Sequence, residues 1–168
     1  MKIKHRKLLN AFHIQYGAFS AQTLRVDLKQ LATIFTPTEL INHFQPDGVI
    51  LKEPFDHFLA IHYQKQLVGY YKISILDFSN EIELHAGIIE VSPFLKRSYF
   101  ELTKLFVLEL GALFSMYQIT LWVDRHNKKI HGLLDFIGFN KTESPMINNK
   151  YEQYTINESD SSSRSSVI

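Results

Sequence analysis

The sequence contains no cysteine, which excludes disulfides, thiol nucleophiles and thiolate metal sites. This absence fits a reducing compartment, and we expect a cytoplasmic protein. No apolar run approaches the roughly 20 residues that a membrane-spanning helix needs. The basic start, residues 1–7, lacks the apolar segment and the small-residue cleavage site of a signal peptide. Neither a membrane anchor nor a membrane partner is therefore expected.

An excess of charge of one sign is also missing. The chain carries 18 Lys plus Arg and 17 Asp plus Glu, and the net charge of +1 predicts no nucleic-acid partner. Of the eight histidines, His57 and His62 fall on opposite faces of a predicted strand. His126 and His131 lack the i, i+4 spacing of helical zinc pairs, so we expect no metal site. No P-loop, Gly-x-Ser-x-Gly elbow or dinucleotide fingerprint is present.

The 168 residues include enough apolar and aromatic residues to form the hydrophobic core of one domain. Hydrophobic residues make up 45% of the chain and aromatic residues 13%, which is a globular composition. We assign residues 1–157 to a single domain. Residues 158–168 are Ser-rich and low in complexity, which predicts a flexible tail. This tail is interpreted either as an inert terminus or as a docking peptide for a partner.

Periodicity and turn residues predict an α/β domain. The segment Thr36-Pro37-Thr38-Glu39 is a helix start, with Thr36 as the N-cap. The predicted elements are helices at 7–16 and 37–44, strands at 57–64, 67–76 and 81–91, a long buried helix at 94–116, a strand at 118–123, a short helix at 127–136 and a last strand at 150–157. Because the order strand–helix–strand implies a parallel crossover, we expect a mixed sheet with flanking helices.

Three segments resemble the GNAT (Gcn5-related N-acetyltransferase) family. They are Leu67-Val68-Gly69-Tyr70, similar to the start of the family's third strand; Val91-Ser92-Pro93, similar to the exit from its fourth strand; and Asn127 with Gly138-Phe139, similar to the segment after its fifth strand. The resemblance covers residues 56–156. It implies the GNAT fold, with a mostly antiparallel sheet around a central parallel crossover. It also implies acetyl-CoA as cofactor and acyl transfer to an amine of a protein or small molecule.

The expected cofactor loop departs from the family pattern. In the family, glycines at the start of the long helix let backbone N–H groups approach the CoA pyrophosphate. Here these positions hold Arg97, Tyr99 and Glu101. Lys96 and Arg97 are interpreted either as phosphate contacts in place of the glycines or as simple surface charge. The family's tyrosine proton donor is replaced by Leu134. The resemblance implies a set of cofactor-binding residues: Gly87, Ile89, Val91, Lys96, Arg97, Ser98, Tyr99 and Asn127.

Glu83 and His85 are the candidate catalytic residues. Two positions apart on a strand, they share a face, which in the family borders the cleft for acceptor and cofactor. Imidazole groups titrate near neutrality and suit a general base, and Glu83 would orient the ring or act through water. Gly87 is the candidate for a bulge whose backbone meets the thioester. In the alternative interpretation, Glu81, Glu83 and His85 form only a solvated strand face, and Asn127 is only a helix cap.

A pattern in divergent GNAT-like proteins of tailed bacteriophages is also similar to this chain, at Glu83-Leu84-His85, Pro93, Lys96-Arg97 and Tyr99. Two hypotheses stay open: an acetyl-CoA-dependent enzyme, or a non-catalytic GNAT-like protein that uses its surface for assembly or inhibition. A protein partner or a homo-oligomer is compatible with both. The strands at 81–91 and 118–123 discriminate between the two, because a sheet closed near Gly87 leaves no room for the cofactor arm.

Overall fold

The computed structural model describes residues 2–23, 56–88, 93–143 and 150–156. The helices in these residues are α1 (Ile3–Ala11), α2 (Lys96–Leu113) and α3 (Lys128–Ile137), and a short 3-10 turn, Pro93–Leu95, precedes α2. None of these described helices is long and apolar enough to cross a membrane. The strands are β1 (His13–Tyr16), β2 (Phe19–Thr23), β3 (Asp56–Tyr63), β4 (Gln66–Leu76), β5 (Glu81–Ile88), β6 (Gln118–Asp124), β7 (Asn140–Lys141) and β8 (Tyr151–Ile156). Outside the described residues lie the predicted helix at 37–44, the predicted cofactor contacts Ile89 and Val91, and the tail at 158–168.

The strands form one mixed sheet in the order β1-β2-β3-β4-β5-β6-β8-β7. Neighbouring strands are antiparallel except β5 and β6, which run parallel. Gln64 and Lys65 close the β3–β4 hairpin with positive φ angles of 48° and 71°. Since two parallel neighbours cannot be joined by a tight turn, α2 makes the crossover between β5 and β6.

One face of the sheet packs against the helices. Alternation along β4 and β5 directs Tyr71, Ile73 and Leu84 into this core. The ring of Phe106 from α2 stacks on Tyr71, with 4.1 Å between the ring centroids. The buried side chains of α2 are Tyr99, Leu102, Thr103, Phe106, Val107 and Leu110. The predicted long buried helix is confirmed, although it begins at Lys96 and ends at Leu113.

The prediction of a helix over 7–16 is wrong in its second half. Helix α1 ends at Ala11, and His13–Tyr16 forms β1, which pairs with β2 across a turn at Gly17. Gly17 has a φ of 59°, a conformation that glycine adopts without a Cβ clash. Within β1 only Ile14 is buried, so its four residues carry little strand periodicity. Residues 13–16 therefore form a strand because they pair with β2, and not because of their local propensity.

Candidate active site

Strands β5 and β6 diverge after three residue pairs. Their ladder ends at the pair Glu83–Thr120, although β5 continues to Ile88 and β6 to Asp124. Among the described strands, none pairs with β5 on this side beyond Glu83, so its backbone faces the gap there. The two strands are therefore splayed near Gly87, as a cleft for a cofactor arm requires.

A cavity of about 620 Å³ opens at this gap, a size typical of small-molecule sites. Consecutive residues of β5 and of β6 line it, so it lies along the edges of both strands where their pairing ends. The lining residues are Tyr71 from β4; Leu84, His85 and Ala86 from β5; Thr103, Phe106 and Val107 from α2; Leu121, Trp122, Val123 and Asp124 from β6; and His126, Asn127, Ile130, Leu133, Leu134, Ile137, Phe139, Lys150 and Tyr151 from later segments.

Glu83 and His85 contact each other on the face of β5 that turns away from α2. His85 Nε2 lies 3.5 Å from Glu83 Oε1, and the two side chains are 22% and 27% exposed, respectively. Hydrogen bonding to the His85 imidazole lowers the pKa of the Glu83 carboxyl below its ordinary value; the charge of Lys72 adds to this effect, and burial opposes it. With Nε2 turned to the carboxylate, Nδ1 is the ring nitrogen left to accept a proton.

Buried polar side chains surround this pair. Lys72 on β4 is the register partner of His85 and is only 9% exposed. Ser74 and Thr120 are the register partners of Glu83 on either side, and both are buried. Burying such groups is costly, and a solvated strand face would leave them in water. The interpretation of Glu83 and His85 as a simple solvated face therefore does not describe this part of the sheet.

The prediction of a bulge at Gly87 is wrong. The ladder between β4 and β5 continues without interruption through Ile88, and Gly87 pairs with Tyr70. A register shift is found instead between β3 and β4, where Ile61 pairs with Gly69 and His62 with Leu67, so that Val68 of β4 is the extra residue. A glycine within a strand can mark a bulge or a close approach of another backbone. For Gly87, the uninterrupted pairing with β4 excludes the bulge.

The predicted phosphate-binding residues form the first turn of α2. Lys96 and Arg97 are exposed and Ser98 is half-buried, whereas Tyr99 belongs to the hydrophobic core. This turn contains no acidic residue, and Leu95 at the N-cap makes no side-chain hydrogen bond. The helix therefore begins without a side-chain cap, beside two exposed cations. None of these residues lines the cavity itself.

Asn127 contributes a polar side chain to the cavity wall, and Leu134 contributes an apolar one. Asn127 occupies the N-cap position of α3 but makes no side-chain capping hydrogen bond, and it lines the cavity. Leu134, the position at which the resemblance to the family implies a tyrosine, is 2% exposed and also lines the cavity. The cavity wall at this position is therefore aliphatic and has no proton to donate.

Tyr71 is a lining residue that the sequence did not indicate. The Thr103 hydroxyl donates to the Tyr99 carbonyl at 2.9 Å, so the Tyr71 hydroxyl must be the donor in its 2.8 Å hydrogen bond to Thr103 Oγ1. Burial raises the pKa of Tyr71 well above its ordinary value. This phenol is therefore held in a hydrogen bond within the core.

Asp124, Lys150 and Tyr151 form a second unpredicted group in the cavity lining. Asp124 on β6 is the register partner of Tyr151 on β8. Lys150 Nζ lies 3.9 Å from Asp124 Oδ2 and 5.1 Å from the centroid of the Tyr151 ring. No sequence signal could have found this group, because only the antiparallel pairing of β8 with β6 brings its members together.

No family model matches the chain, and no curated protein matches it. Its fold, however, is shared with solved acetyltransferases. The spermidine/spermine N-acetyltransferase SpeG from Vibrio cholerae gives a TM-score of 0.65 at 14% identity, covering 88% of this chain and 98% of that chain. A dodecameric structure of spermidine N-acetyltransferase from the same organism gives 0.58 at 16% identity, over 88% and 98%. YncA from Salmonella typhimurium, solved with its cofactor acetyl-CoA, gives 0.62 at 11% identity, over 84% and 95%.

The similarity to these three acetyltransferase structures extends over 84–88% of this chain. The expected α/β fold, with one central parallel pair, otherwise antiparallel strands and flanking helices, is therefore confirmed. At these identities the likeness concerns the fold alone, so the chemistry has to be argued from the site.

Proposed function

We propose that this protein is an acetyl-CoA-dependent N-acyltransferase that acts on an amine of a protein or a small molecule. The observation that carries the proposal is the gap between β5 and β6, where a cavity of about 620 Å³ reaches His85 of the Glu83–His85 pair. The GNAT fold of the chain adds support by analogy.

The residues around the gap fit a CoA thioester in three respects. Beyond Glu83, the backbone of β5 lacks a described strand partner on the gap side, which suits hydrogen bonding to the amides of an extended arm. Lys96 and Arg97, at the start of α2, where no side chain caps the helix, carry positive charge for phosphate groups. Asn127 lines the cavity with a side chain that makes no capping bond. When bound, acetyl-CoA supplies the activated acetyl group.

His85 and Glu83 are the proposed proton-transfer residues. An ammonium acceptor must lose a proton before its nitrogen can act as a nucleophile. Because Nε2 of His85 is turned to Glu83, its Nδ1 would accept this proton, directly or through a water molecule. Glu83 would hold the orientation of the ring and balance the positive charge that develops on it.

A non-catalytic role is the second candidate function, and the cavity wall favours it. Leu134 supplies no proton where the family has its tyrosine. At the start of α2, Arg97 and Glu101 replace family glycines, and Tyr99 is buried in the core. In this case the protein would use its surface for assembly or inhibition, as proposed from its similarity to phage GNAT-like proteins, and would bind no acetyl-CoA.

Calorimetric titration with acetyl-CoA separates the two candidates. The proposed enzyme binds the ligand, and an absence of binding at millimolar concentration would exclude it. Turnover with a panel of primary amines is then compared in Glu83→Gln and His85→Ala. We expect each substitution to lower kcat by about 10²-fold while acetyl-CoA binding is retained. Unchanged turnover in both variants would remove the two residues from the mechanism.

Glu81→Gln is the matched control for these variants. Glu81 lies on the same strand face, is half-buried, and accepts a hydrogen bond from Ser79 at 3.1 Å. It is not among the residues that line the cavity, so turnover should stay at the wild-type level in this variant.

A cytoplasmic location and association with a protein partner or a second copy complete the proposal. The lack of cysteine supports the location. Sedimentation velocity of the purified chain measures self-association, and a pull-down with and without residues 158–168 tests whether the tail recruits a partner.

A further inference from the structure

Trp122 on β6 points to the face of the sheet that is turned away from α2. Its two neighbours along the strand, Leu121 and Val123, pack in or against the hydrophobic core on the α2 side. Because side chains alternate along a strand, the indole ring lies on the other face, which also carries Glu83 and His85. Trp122 is half-buried there, and it is one of the residues that line the cavity.

His85 and Trp122 stand on opposite sides of the gap between β5 and β6. The last pair of the parallel ladder is Glu83 with Thr120, and His85 and Trp122 each follow this pair by two positions. They would be register partners if the ladder continued, but the strands have parted before them, and both residues line the cavity. A ligand in the gap therefore has an imidazole on its β5 side and an indole on its β6 side.

The indole of Trp122 is not engaged within the part of the chain that the structure describes. Among those residues it takes part in no ring contact and makes no hydrogen bond. The lysines that lie over aromatic rings there contact Phe100, Phe136 and Tyr151 instead. Tryptophan rings in protein interiors are usually packed against other rings or hydrogen-bonded through their N–H. The ring of Trp122 is therefore available to a ligand in the cavity.

We propose that Trp122 is an acceptor-binding residue, and that it selects acceptors whose amine is a cationic ammonium group. The inference rests on the proposed function. Among aromatic side chains, the indole face attracts a cation most strongly, and aliphatic amines are ammonium ions at neutral pH. The ammonium lies against the ring until His85, across the gap, accepts its proton. Amines that are uncharged at neutral pH lack this contact.

Two unreactive probes of the same shape test whether charge is recognised. Choline carries a trimethylammonium group, and 3,3-dimethyl-1-butanol carries an uncharged tert-butyl group in its place. Because Trp122 is the one tryptophan of the chain, its fluorescence reports the binding of either probe. We expect the wild type to bind choline about tenfold more tightly than the alcohol. Equal affinities, or no binding of choline, would overturn the inference.

The variants Trp122→Phe and Trp122→Leu test whether the ring is the origin of this preference. In calorimetric titrations, Trp122→Phe should keep part of the preference for choline, and Trp122→Leu should bind the two probes equally. Phe100→Leu is the matched control, because Phe100 is also aromatic and half-buried but is not among the residues that line the cavity. It should keep the wild-type preference. A preference for choline that persists in Trp122→Leu would overturn the inference.

Turnover adds a readout that a merely structural role of Trp122 would not produce. Propylamine and O-ethylhydroxylamine have nearly the same size, but only propylamine is charged at neutral pH. With propylamine, Trp122→Leu should raise KM about tenfold and leave kcat nearly unchanged, because the ring binds the ammonium and takes no part in proton transfer. With O-ethylhydroxylamine, KM should be the same in the wild type and the variant. An equal rise in KM for both amines would overturn the inference.

The inference and the proposed function fail in distinguishable ways. Turnover of amines without a preference for charge that depends on Trp122 overturns the inference and leaves the proposed function intact. An absence of acetyl-CoA binding in calorimetry overturns the proposed function, and with it the acceptor role of Trp122, whichever probe binds.

Discussion

His57 is expected to make the stability of this fold depend on pH. Its imidazole is 8% exposed, and its Nε2 lies 3.1 Å from Thr23 Oγ1. Thr23 directs its own hydroxyl hydrogen to the Leu9 carbonyl, 2.7 Å away, so Nε2 of His57 carries a hydrogen and donates it. Burial, together with the positive charge of Arg6, lowers the pKa of His57 to about 4. Protonating this ring inside the fold is therefore unfavourable.

The magnitude follows from the difference between the folded and unfolded pKa values. The unfolded chain takes up the proton near the ordinary pKa of 6.5, and the folded chain only near the pKa of about 4. Between these values the unfolded state binds more protons, so stability falls as the pH falls. The contribution of His57 is complete above the unfolded pKa and disappears toward the folded one. The loss between about pH 7 and pH 5 amounts to about 2 kcal/mol.

His57→Gln isolates this effect, because glutamine keeps an N–H donor for Thr23 and does not titrate. Urea unfolding at the two pH values, followed by the fluorescence of Trp122, the one tryptophan of the chain, measures the free energy of unfolding. From pH 7 to pH 5 the wild type should lose about 2 kcal/mol more than the variant. His13→Gln, which removes an exposed imidazole from β1, controls for the substitution itself. Equal losses in the wild type and His57→Gln would refute the reasoning.

Three further predictions concern the core, the sheet end and the cavity. Phe106→Ala should lower the free energy of unfolding by about 3–5 kcal/mol, because the Phe106 ring is fully buried. Leu108 is exposed on the same helix, so Leu108→Ala should lower it by less than about 1 kcal/mol. Similar losses for the two variants in urea unfolding would contradict this prediction. Tyr117→Phe removes the 2.7 Å hydrogen bond to Asp77 Oδ1 and should cost about 1 kcal/mol at neutral pH, so an unchanged melt would count against that bond. The Leu134→Tyr variant should transfer acetyl groups about tenfold faster than the Leu134→Phe variant, which has the ring without the hydroxyl. The rate of thiol release measures the transfer. Equal rates in the two variants would show that position 134 donates no proton.

Local sequence patterns were sufficient to predict the strands and helices in the middle of the chain. Strands β3 and β4 are rich in β-branched and aromatic residues, and the polar turn at Gln64 and Lys65 joins them as predicted. The apolar residues of α2 cover enough of its circumference to indicate a helix buried against a sheet. Helix α3 ends at Ile137 and is capped by Gly138, whose φ of 104° is the left-handed conformation that a glycine cap supplies. Each of these features depends on neighbours within a few residues along the chain.

Local sequence patterns predicted only part of the candidate site. Glu83 and His85 could be paired from their spacing alone, because alternate residues of a strand share a face. That the buried side chains of Lys72, Ser74 and Thr120 lie beside this pair depends on the register of β4 and β6 against β5, which the spacing does not contain.

The sequence by itself determined the class of the fold, the long central helix and the candidate pair Glu83 and His85, because period, turn chemistry and strand alternation act over short distances. Only the tertiary structure decided that His13–Tyr16 joins the sheet, that Gly87 stays in an unbroken ladder, and that β5 and β6 part after the Glu83–Thr120 pair. It also placed Lys150 beside Asp124 in the cavity lining. These outcomes depend on which strands pair and where their ladders end, and such pairing is set by contacts between residues far apart along the chain.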